Sequence, residues 1–229
     1  LHDGWWLSRL QFLTRDDGTA VNPQDPLSDL EPEAGETERQ KQQERRRDLL
    51  EILAGAEERL AVSESFADLY RRAGVRRVGV RRNRAPAPAL PASAGRRGPL
   101  AAQGQNPVRF CMVGGMAVHK GYAVLRSAIQ AACLGDVARF TVVDHRLKAG
   151  EPAYGLRWGG SEVLFIPPVP MARMQEFYGV QEVLIAPSIW PESFGLVTRE
   201  ALAAGLWVIA SQAGALAEPI EHGVNGCVV

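Results

Sequence analysis

One stretch, IAPSIWPESFGLVTREALAAGLWVIAS at residues 185–211, constrains the fold of this chain more than any other. Short apolar runs rich in β-branched residues stand at both ends of the stretch and predict buried strands. Pro191 and Gly195 predict a loop after the first strand and a helix that begins near Phe194 or Gly195. Because a strand, a helix and a second strand are the repeating unit of a parallel sheet, the chain is predicted to have an α/β fold.

The same stretch places two carboxylates, Glu192 and Glu200, where both can reach one ligand. On a single helix the two would lie about 12 Å apart and on different faces. The predicted helix start instead leaves Glu192 in the loop and Glu200 one turn into the helix. Free N–H groups and the positive dipole end at the helix start suit a phosphate, and Gly195 allows close approach of the backbone. A carboxylate one turn along can accept from both hydroxyls of a vicinal diol, so the predicted ligand is phosphorylated and carries a ribose.

The segment PESFGLVTREALAAG, with Glu192 and Glu200 in an E-x7-E arrangement, resembles the donor-site motif of retaining glycosyltransferases of family 4. Two glutamates alone would be a loop acid and a solvated helix acid, but the Phe-Gly between them and the Ala-Leu-x-x-Gly after them favour the motif. The resemblance implies the GT-B fold, with two doubly wound Rossmann-like domains, the first incomplete. It implies that N–H groups near Phe194, Gly195 and Leu196 stabilise the departing diphosphate. Glu200 would hold the ribose, and Glu192 would orient the donor sugar or stabilise positive charge at its anomeric carbon.

A second candidate ligand-binding loop, GGMAVHKG, follows a predicted strand and precedes a predicted helix. It is neither a P-loop nor the dinucleotide fingerprint, but it puts Gly114 and Gly115 at the strand end and Lys120 at the helix start, where an ammonium can meet an anion. Without further context Lys120 would be an ordinary surface lysine. The loop resembles the family 4 loop that ends in Lys-Gly, whose lysine contacts the donor diphosphate. Many members have an arginine where this chain has Gly115, so a second cation would come from His119 or from outside the chain.

The first thirteen residues, LHDGWWLSRLQFL, pair a His-Asp turn with an aromatic cluster. The run resembles the segment after a central strand of the N-terminal domain in family 4, whose histidine faces the cleft between the domains. The resemblance implies that His2 contacts the donor sugar or the acceptor and positions the reacting groups. The alternative is that His2 caps a strand end and that Trp5, Trp6 and Phe12 are packing residues.

The predicted organisation is a C-terminal part of an N-terminal, acceptor-side domain at residues 1–84, a Pro/Ala/Gly-rich linker at 85–107, and a donor-binding domain at 108–229. Because the chain begins in an apolar segment and ends in a predicted strand, we expect a fragment that lacks the start of the first domain and the end of the second. The predicted elements are a loop over 14–35, helices over 36–60, 64–72, 122–134 and 171–178, and strands over 60–63, 75–80, 108–113, 140–143, 163–166 and 183–185.

Three details of these elements are predicted from local patterns. Ser63 is expected to cap the helix that follows it. The helix over 36–60 is expected to pack through the apolar residues of its second half. The buried face of the helix over 122–134 is predicted from its apolar spacing and comprises Val124, Leu125, Ala128 and Ile129.

Charge and cysteine content limit the partners and the compartment. The chain has 26 basic and 26 acidic residues, which gives no overall attraction to nucleic acid or membrane. The arginine-rich run at 71–84 is interpreted as exposed positions flanking a buried strand. Peripheral contact with a membrane stays open, whereas nucleic acid is not expected because no aromatic residues are interleaved. Cys111, Cys133 and Cys227 lack C-x-x-C spacing and are predicted to be reduced core residues of a cytoplasmic protein, which could lie at the inner face of a membrane.

The predicted function combines these observations. The histidines show no metal spacing and Asp16-Asp17 forms no D-x-D, so neither a metal nor a cofactor is expected. We expect a metal-independent retaining glycosyltransferase that moves a sugar from a nucleotide-diphosphate sugar to the hydroxyl of a saccharide or lipid-linked acceptor, in polysaccharide, lipopolysaccharide or glycolipid assembly. Two alternatives stay open at this point: a nucleotide-sugar binding module without turnover, and a nucleotide-sugar epimerase of the same fold.

Overall fold

The computed structural model describes residues 1–84 and 106–229, which contain helices and two β-sheets and confirm the α/β class. The predicted linker lies almost wholly outside the described residues. The first lobe, residues 1–84, contains α1 Glu36–Gly55, β1 Arg59–Ala61, α2 Glu64–Arg72 and β2 Val78–Val80. The second lobe, residues 106–229, contains β3 Val108–Met112, α3 Tyr122–Ala132, β4 Ala138–Val143, β5 Tyr154–Trp158, β6 Ser161–Ile166, α4 Met174–Gly179, β7 Val183–Ala186, α5 Leu196–Ala203, β8 Trp207–Ala210 and β9 Gly226–Val228.

In the first lobe, α2 packs against the parallel pair β1 and β2. Ser63 caps α2 as predicted, since its Oγ accepts a hydrogen bond of 3.1 Å from the Phe66 N–H. Phe66 and Tyr70 are fully buried between α2 and the strands. The strand predicted from residue 75 begins at Val78, because the chain first makes a turn through Gly74 and Arg77, both with positive φ.

The packing of α1 differs from the prediction. Leu53 is buried, but Ile52 in the same half of the helix is 61% exposed. The middle of α1 is instead anchored by buried polar side chains. The Arg46 guanidinium donates to the Leu7 and Pro23 carbonyls, while Gln42 donates to a carboxylate in the loop before the helix. Because Arg46 is paired with backbone carbonyls and Gln42 with a carboxylate, both polar side chains can be buried.

The long predicted loop before α1 is held by one buried acid. Asp29 Oδ2 accepts hydrogen bonds of 2.8 Å from the Ser8 hydroxyl, the Arg9 N–H and the Gln42 amide. These donors belong to the aromatic segment at the start of the chain and to α1. The loop is therefore tied to both neighbours by hydrogen bonds, in addition to the burial of its Val21 in the apolar core of the first lobe.

The second lobe is built on a seven-stranded sheet in the order β5-β6-β4-β3-β7-β8-β9, parallel except for β5. The chain leaves β3 towards β4 on one side and returns to β7 on the other. The carboxyl ends of β3 and β7 therefore flank a topological switch point, where open α/β sheets form their ligand-binding crevice.

The antiparallel edge strand β5 was not predicted. It pairs with β6 through a two-residue turn, Gly159-Gly160, with Trp158 opposite Ser161. A glycine pair between apolar runs is a recognised hairpin signal. The sequence therefore contained the information for this strand.

The predicted buried face of α3 was half wrong. Leu125 and Ile129 are buried, but Val124 is 51% exposed and Ala128 is also exposed. Leu125 and Ile129 lie four residues apart on one stripe, and the residue before each points about 100° away from it. The buried stripe of α3 is narrow. Of the adjacent apolar residues Val124 and Leu125 only Leu125 is buried against the sheet, and of Ala128 and Ile129 only Ile129.

The cysteines also differ in part from the prediction. All three thiols are free, and Cys111 on β3 is buried as expected. Cys133 is exposed because it follows the last residue of α3 in a left-handed conformation, with its Sγ donating to the Gln130 carbonyl. Cys227 on β9 is partly buried.

Two surface predictions can be compared with the structure. Val78 is buried in β2, whereas Arg76, Arg77, Arg81 and Arg82 around it are exposed, as expected of charged positions flanking a strand. Within residues 1–84 and 106–229, no helix combines the length and apolar character needed to cross a membrane.

Candidate functional site

A cavity of about 140 Å³ opens at the carboxyl ends of β3 and β7, at the switch point of the large sheet. It brings together the two loops that the sequence singled out. Its lining residues are Met112, Val113, Gly114, Lys120, Ala186, Pro187, Ser188, Glu192, Gly195, Leu196, Val197 and Leu216. Five of the predicted site residues, Gly114, Lys120, Glu192, Gly195 and Leu196, therefore share one cavity.

Lys120 and Glu192 form an ion pair across this cavity between Nζ and Oε1. Both side chains are largely buried, with 26% and 13% of their surfaces exposed. The Ser188 hydroxyl lies 3.3 Å from the same Glu192 oxygen and donates at 2.9 Å to the His119 carbonyl. Ser188 thus links the loop after β7 to the loop after β3, and no role for it was predicted. The ion pair between Lys120 and Glu192 thus places one cation and one carboxylate at the same cavity.

An aromatic cluster from both lobes borders the lysine. Trp190 is 4% exposed, and the Lys120 Nζ lies 5.5 Å from the centroid of its indole ring. Phe12 of the first lobe stacks on His119 at 4.3 Å and meets Trp190 edge-on at 5.0 Å. Phe12 is therefore more than a packing residue of its own lobe, since it contacts the loop that carries Lys120.

The N-terminus of α5 supplies the predicted anion-binding backbone. Gly195 is the N-cap residue, in the left-handed region with φ of 67°, and no side chain caps the helix. A Cβ at this position would lie 3.0 Å from Leu216 Cα and 3.1 Å from the Ala215 carbonyl, so only glycine fits without displacement. Leu196 lines the cavity beside Gly195. Phe194 is buried, and the Arg199 guanidinium carbon lies 4.2 Å from the centroid of the Phe194 ring. Uncapped N–H groups at a cavity suit a phosphate.

Glu200 lies one turn into α5, as predicted, but it is buried and is not among the residues that line the cavity. Tyr178 on α4, 1% exposed, donates from its hydroxyl to Glu200 Oε2 at 3.3 Å. Burial raises the pKa of Glu200 above the usual glutamate value, and the Tyr178 hydrogen bond partly offsets this. Tyr178 was not predicted, because its 22-residue separation from Glu200 follows no local pattern.

Binding of the phosphorylated, ribose-bearing ligand predicted from the sequence, tested as a nucleoside diphosphate, is expected to weaken as pH falls through the raised pKa of Glu200, above the range in which an ordinary glutamate titrates. The ionised carboxylate offers both oxygens as acceptors to the two ribose hydroxyls, whereas protonation turns one of these oxygens into a donor. Tyr178→Phe removes the hydrogen bond that lowers this pKa, so the loss of affinity should begin at higher pH. Calorimetric titrations across pH check this, with Tyr70→Phe, another buried tyrosine, as the control.

The pH dependence that Glu200 gives to the stability of the fold should be opposite in direction to the one that it gives to ligand binding. A raised pKa means that the ionised form costs stability at neutral pH, and this cost is relieved as pH falls and the carboxylate is protonated. Glu200→Gln should therefore keep or raise the Tm while it weakens nucleotide binding. A parallel loss of Tm and affinity would instead indicate that Glu200 is a structural residue.

His2 is exposed over 79% of its side chain, and its Nε2 lies 3.5 Å from Asp3 Oδ2. Its contact is with its neighbour in sequence and not with the cavity residues. The catalytic role implied by the resemblance stays a prediction.

The position of Gly115 bears on the question of a second cation. A Cβ there would lie 3.3 Å from Cδ2 of His145, whose ring fills the space next to the loop. His119 is a poor replacement cation, because burial and the nearby Lys120 lower its pKa and favour the neutral ring. Arg146, which the sequence did not single out, places Nη2 3.4 Å from Met116 Sδ in the same loop. The buried Asp144 holds this guanidinium through both carboxylate oxygens.

Gly121, at the end of the loop after β3, packs closely against the backbone of the loop after β7. It has a φ of 73°, and a Cβ on it would overlap the carbonyl oxygen of Pro187. Gly121→Ala is expected to lower the free energy of unfolding by at least about 2 kcal/mol, since the left-handed conformation alone costs roughly 1–2 kcal/mol. Chemical denaturation of Gly121→Ala and Gly205→Ala measures the difference. Gly205 also has a positive φ, of 84°, but open space around it, so equal losses would exclude the overlap as the cause.

No group of three or more His, Cys, Asp or Glu side chains is arranged to hold a metal in the part of the chain that the structure describes. The expected independence of a metal stays a prediction.

The fold and the cavity define an α/β protein in which a lysine, a glutamate and an uncapped helix N-terminus line one cavity at the switch point of the larger sheet. Residues 101–229, more than half of the chain, match the family described as "Glycosyl transferases group 1". The chain belongs to this family.

Curated relatives match over part of their length. The chain is 43% identical over 67 residues to a D-inositol 3-phosphate glycosyltransferase of Acidothermus cellulolyticus. This match covers 29% of this chain and 15% of that protein. It is 33% identical over 106 residues to the enzyme of the same name from Thermobispora bispora, covering 46% of this chain and 24% of that protein. The greater part of each relative lies outside the match.

Solved structures match a larger part of this chain than the curated relatives do. Anabaena HepE in complex with UDP-glucose aligns with a TM-score of 0.60 at 21% identity, over 82% of this chain and 54% of that protein. Sucrose-phosphate synthase from Thermosynechococcus elongatus aligns with a TM-score of 0.55 at 20% identity, over 86% of this chain and 49% of that protein. The chain thus spans about half the length of these structures. The likeness confirms the predicted GT-B fold.

Proposed function

We propose that this chain binds a nucleotide-diphosphate sugar and takes part in its transfer to an acceptor hydroxyl, as a retaining glycosyltransferase of family 4. One observation carries the proposal: Lys120, Glu192 and the uncapped N-terminus of α5 at Gly195 line the same cavity at the switch point. A cation and a helix N-terminus that face one space suit a pyrophosphate, and a carboxylate beside them suits the attached sugar.

Four residues of the cavity, Lys120, Glu192, Gly195 and Leu196, and the buried Glu200 one turn into α5 have defined roles in this proposal. Lys120 and the amides of Gly195 and Leu196 stabilise the charge that develops on the departing diphosphate. Glu200 accepts hydrogen bonds from the ribose hydroxyls. The ion pair between Lys120 and Glu192 opens when the diphosphate takes over the ammonium. Glu192 is then free to orient the donor sugar or to stabilise positive charge at its anomeric carbon.

The transfer step needs no metal in this proposal, because the lysine and the helix dipole supply the positive charge. The bond between the anomeric carbon and the phosphate oxygen breaks, and a bond from the same carbon to the acceptor oxygen forms on the same face of the sugar. The acceptor proton passes to the departing phosphate. His2 positions the reacting groups from the first lobe.

The comparisons support the class of donor. HepE is described in complex with UDP-glucose and with UDP, and the matched relatives are named as inositol phosphate glycosyltransferases. By analogy, we propose a saccharide or lipid-linked acceptor and a part in glycan assembly in the cytoplasm or at the inner face of a membrane.

A thermal-shift panel of UDP-glucose, GDP-mannose and ADP-glucose, each with and without EDTA, tests the proposal. At least one donor, at about 100 times its Kd, is expected to stabilise the protein by roughly 2.7 kcal/mol, which raises the Tm by about 5 °C or more. EDTA should leave that shift unchanged. If none of these nucleotide sugars, and none of UDP, GDP and ADP tested beside them, raises the Tm, the donor assignment is refuted.

A nucleotide-sugar binding module without turnover is the second candidate. It is favoured by Gly115, whose side-chain space is filled by His145 and which supplies no cation of its own. Donor binding without release of sugar, in the presence of saccharide and lipid acceptors, would favour this module over the transferase.

A further inference from the structure

A carboxylate outside the cavity joins the two lobes. Glu218 Oε1 accepts hydrogen bonds from the Ser65 N–H at 2.9 Å and from the Ser65 hydroxyl at 2.8 Å. The two residues are 153 positions apart in the sequence. Ser65 lies in the first turn of α2, where backbone N–H groups lack partners within the helix and the dipole favours a negative charge. Glu218 of the second lobe therefore acts as an anionic partner for a helix of the first.

The other oxygen of the same carboxylate faces the donor loop. Glu218 Oε2 accepts a hydrogen bond of 3.0 Å from Arg199 Nη2, and the two side chains are only 18% and 12% exposed. Arg199 Nη1 donates to the Phe194 carbonyl and, at 3.2 Å, to the Ala215 carbonyl. These carbonyls belong to the two segments that close around Gly195. The guanidinium therefore holds the backbone at the start of α5.

An ordinary surface ion pair explains this arrangement less well. Such a pair is exposed on both sides and contributes little, whereas here each carboxylate oxygen has a different partner and the Arg199 side chain is only 12% exposed. The chain of contacts runs without a break from α2 through Glu218 and Arg199 to the residue before Gly195. Movement of α2 relative to the second lobe must stretch or break these hydrogen bonds.

We propose that Glu218 is a positioning residue that fixes the first lobe to the loop whose amides bind the donor phosphates. This inference rests on the proposed function for the part that concerns the donor. The link sets the spacing between the donor site and the first lobe, which faces it through Phe12. When the Ser65 side of the link is lost, Arg199 still holds the Phe194 and Ala215 carbonyls, so the donor pocket keeps its shape while the lobes move apart more freely.

The link can be tested without any ligand. Spin labels on Glu51→Cys in α1 and Ser127→Cys in α3, both exposed positions, report the distance between the lobes in a Cys133→Ser, Cys227→Ser background. In Glu218→Gln the width of the distance distribution is expected to increase at least twofold. Glu221→Gln, an exposed glutamate three residues away, should leave it unchanged. An unchanged distribution in a folded Glu218→Gln variant would overturn the proposal.

A second measurement separates positioning from a merely structural role. Ser65→Ala removes one of the two hydrogen bonds and keeps the backbone donor, so it should fold like the wild type. It is expected to change the Kd for UDP less than threefold but to lower the rate of sugar transfer from UDP-glucose at least fivefold. Arg199→Lys should weaken UDP binding itself about tenfold. Equal effects of Ser65→Ala on binding and rate would count against a positioning role.

The two proposals fail in different ways. If the wild-type protein binds no nucleotide but the distances broaden in Glu218→Gln, the donor assignment is wrong and the link between the lobes stands. If the wild type binds UDP and Glu218→Gln changes neither the distances nor the rate, the donor assignment stands and the positioning role is wrong.

Discussion

Lys120→Ala is expected to weaken the binding of a nucleoside diphosphate by about 10- to 100-fold, because hydrogen bonds to charged groups contribute roughly 1.5–3 kcal/mol. Binding of the nucleoside alone should change by less than about twofold, since the ammonium faces the phosphates in this account. The variant also leaves Glu192 in the cavity without its ion-pair partner, which adds repulsion towards an anionic ligand. Calorimetric titration of UDP, inorganic pyrophosphate and uridine against the variant measures each contribution.

The matched control for this experiment is Lys41→Ala, which removes an exposed lysine of α1 in the first lobe. It changes net charge by the same amount but should leave all three titrations unchanged. Equal losses for UDP and uridine in Lys120→Ala would mean that the lysine shapes the pocket rather than contacting the diphosphate.

Glu192→Gln is expected to lower the rate of sugar transfer by about 10²- to 10³-fold, the usual effect of removing one electrostatic group from a transition state. Binding of a nucleoside diphosphate should become stronger at the same time, because Lys120 loses the anion that competes with the diphosphate for its ammonium. The two effects have opposite signs, so a general loss of structure cannot produce both. Rates with UDP-glucose and titrations with UDP, on the same preparation, provide the measurement.

Glu162→Gln is the control for that variant. Glu162 is an exposed glutamate on β6 that pairs with Arg139, so Glu162→Gln makes the same chemical change in an exposed ion pair that does not line the cavity. Neither the rate nor UDP affinity should change. A fall in UDP affinity for Glu192→Gln would contradict the competition between Glu192 and the diphosphate for Lys120.

The sequence predicted the local parts of the fold well, because their signals are local. The order of strands and helices followed from apolar runs, the cap at Ser63 from its position before a helix, and the start of α5 from Gly195. The errors also had local causes. Val124 and Cys133 are apolar in type but lie beside a narrow buried stripe and beyond a helix end, so their exposure could not be inferred from residue type alone.

The site was predicted in outline but not in its internal contacts. The two loops were expected to share one ligand because the family resemblance assigns Lys120 of one loop and the helix start at Gly195 of the other to the same donor diphosphate. The ion pair between Lys120 and Glu192 spans 72 residues, and the contact between Ser65 and Glu218 spans 153. Contacts over such distances depend on the packing of the whole chain and have no periodic signal. Tyr178 was missed for the same reason.

The central claim is that one pyrophosphate bridges Lys120 and the start of α5. A crystal structure of the protein with UDP bound tests it most directly. Phosphate oxygens are expected within hydrogen-bonding distance of both Lys120 Nζ and the backbone N–H of Gly195 or Leu196, with the ion pair to Glu192 opened. A diphosphate bound elsewhere, with Lys120 still paired to Glu192, would contradict it.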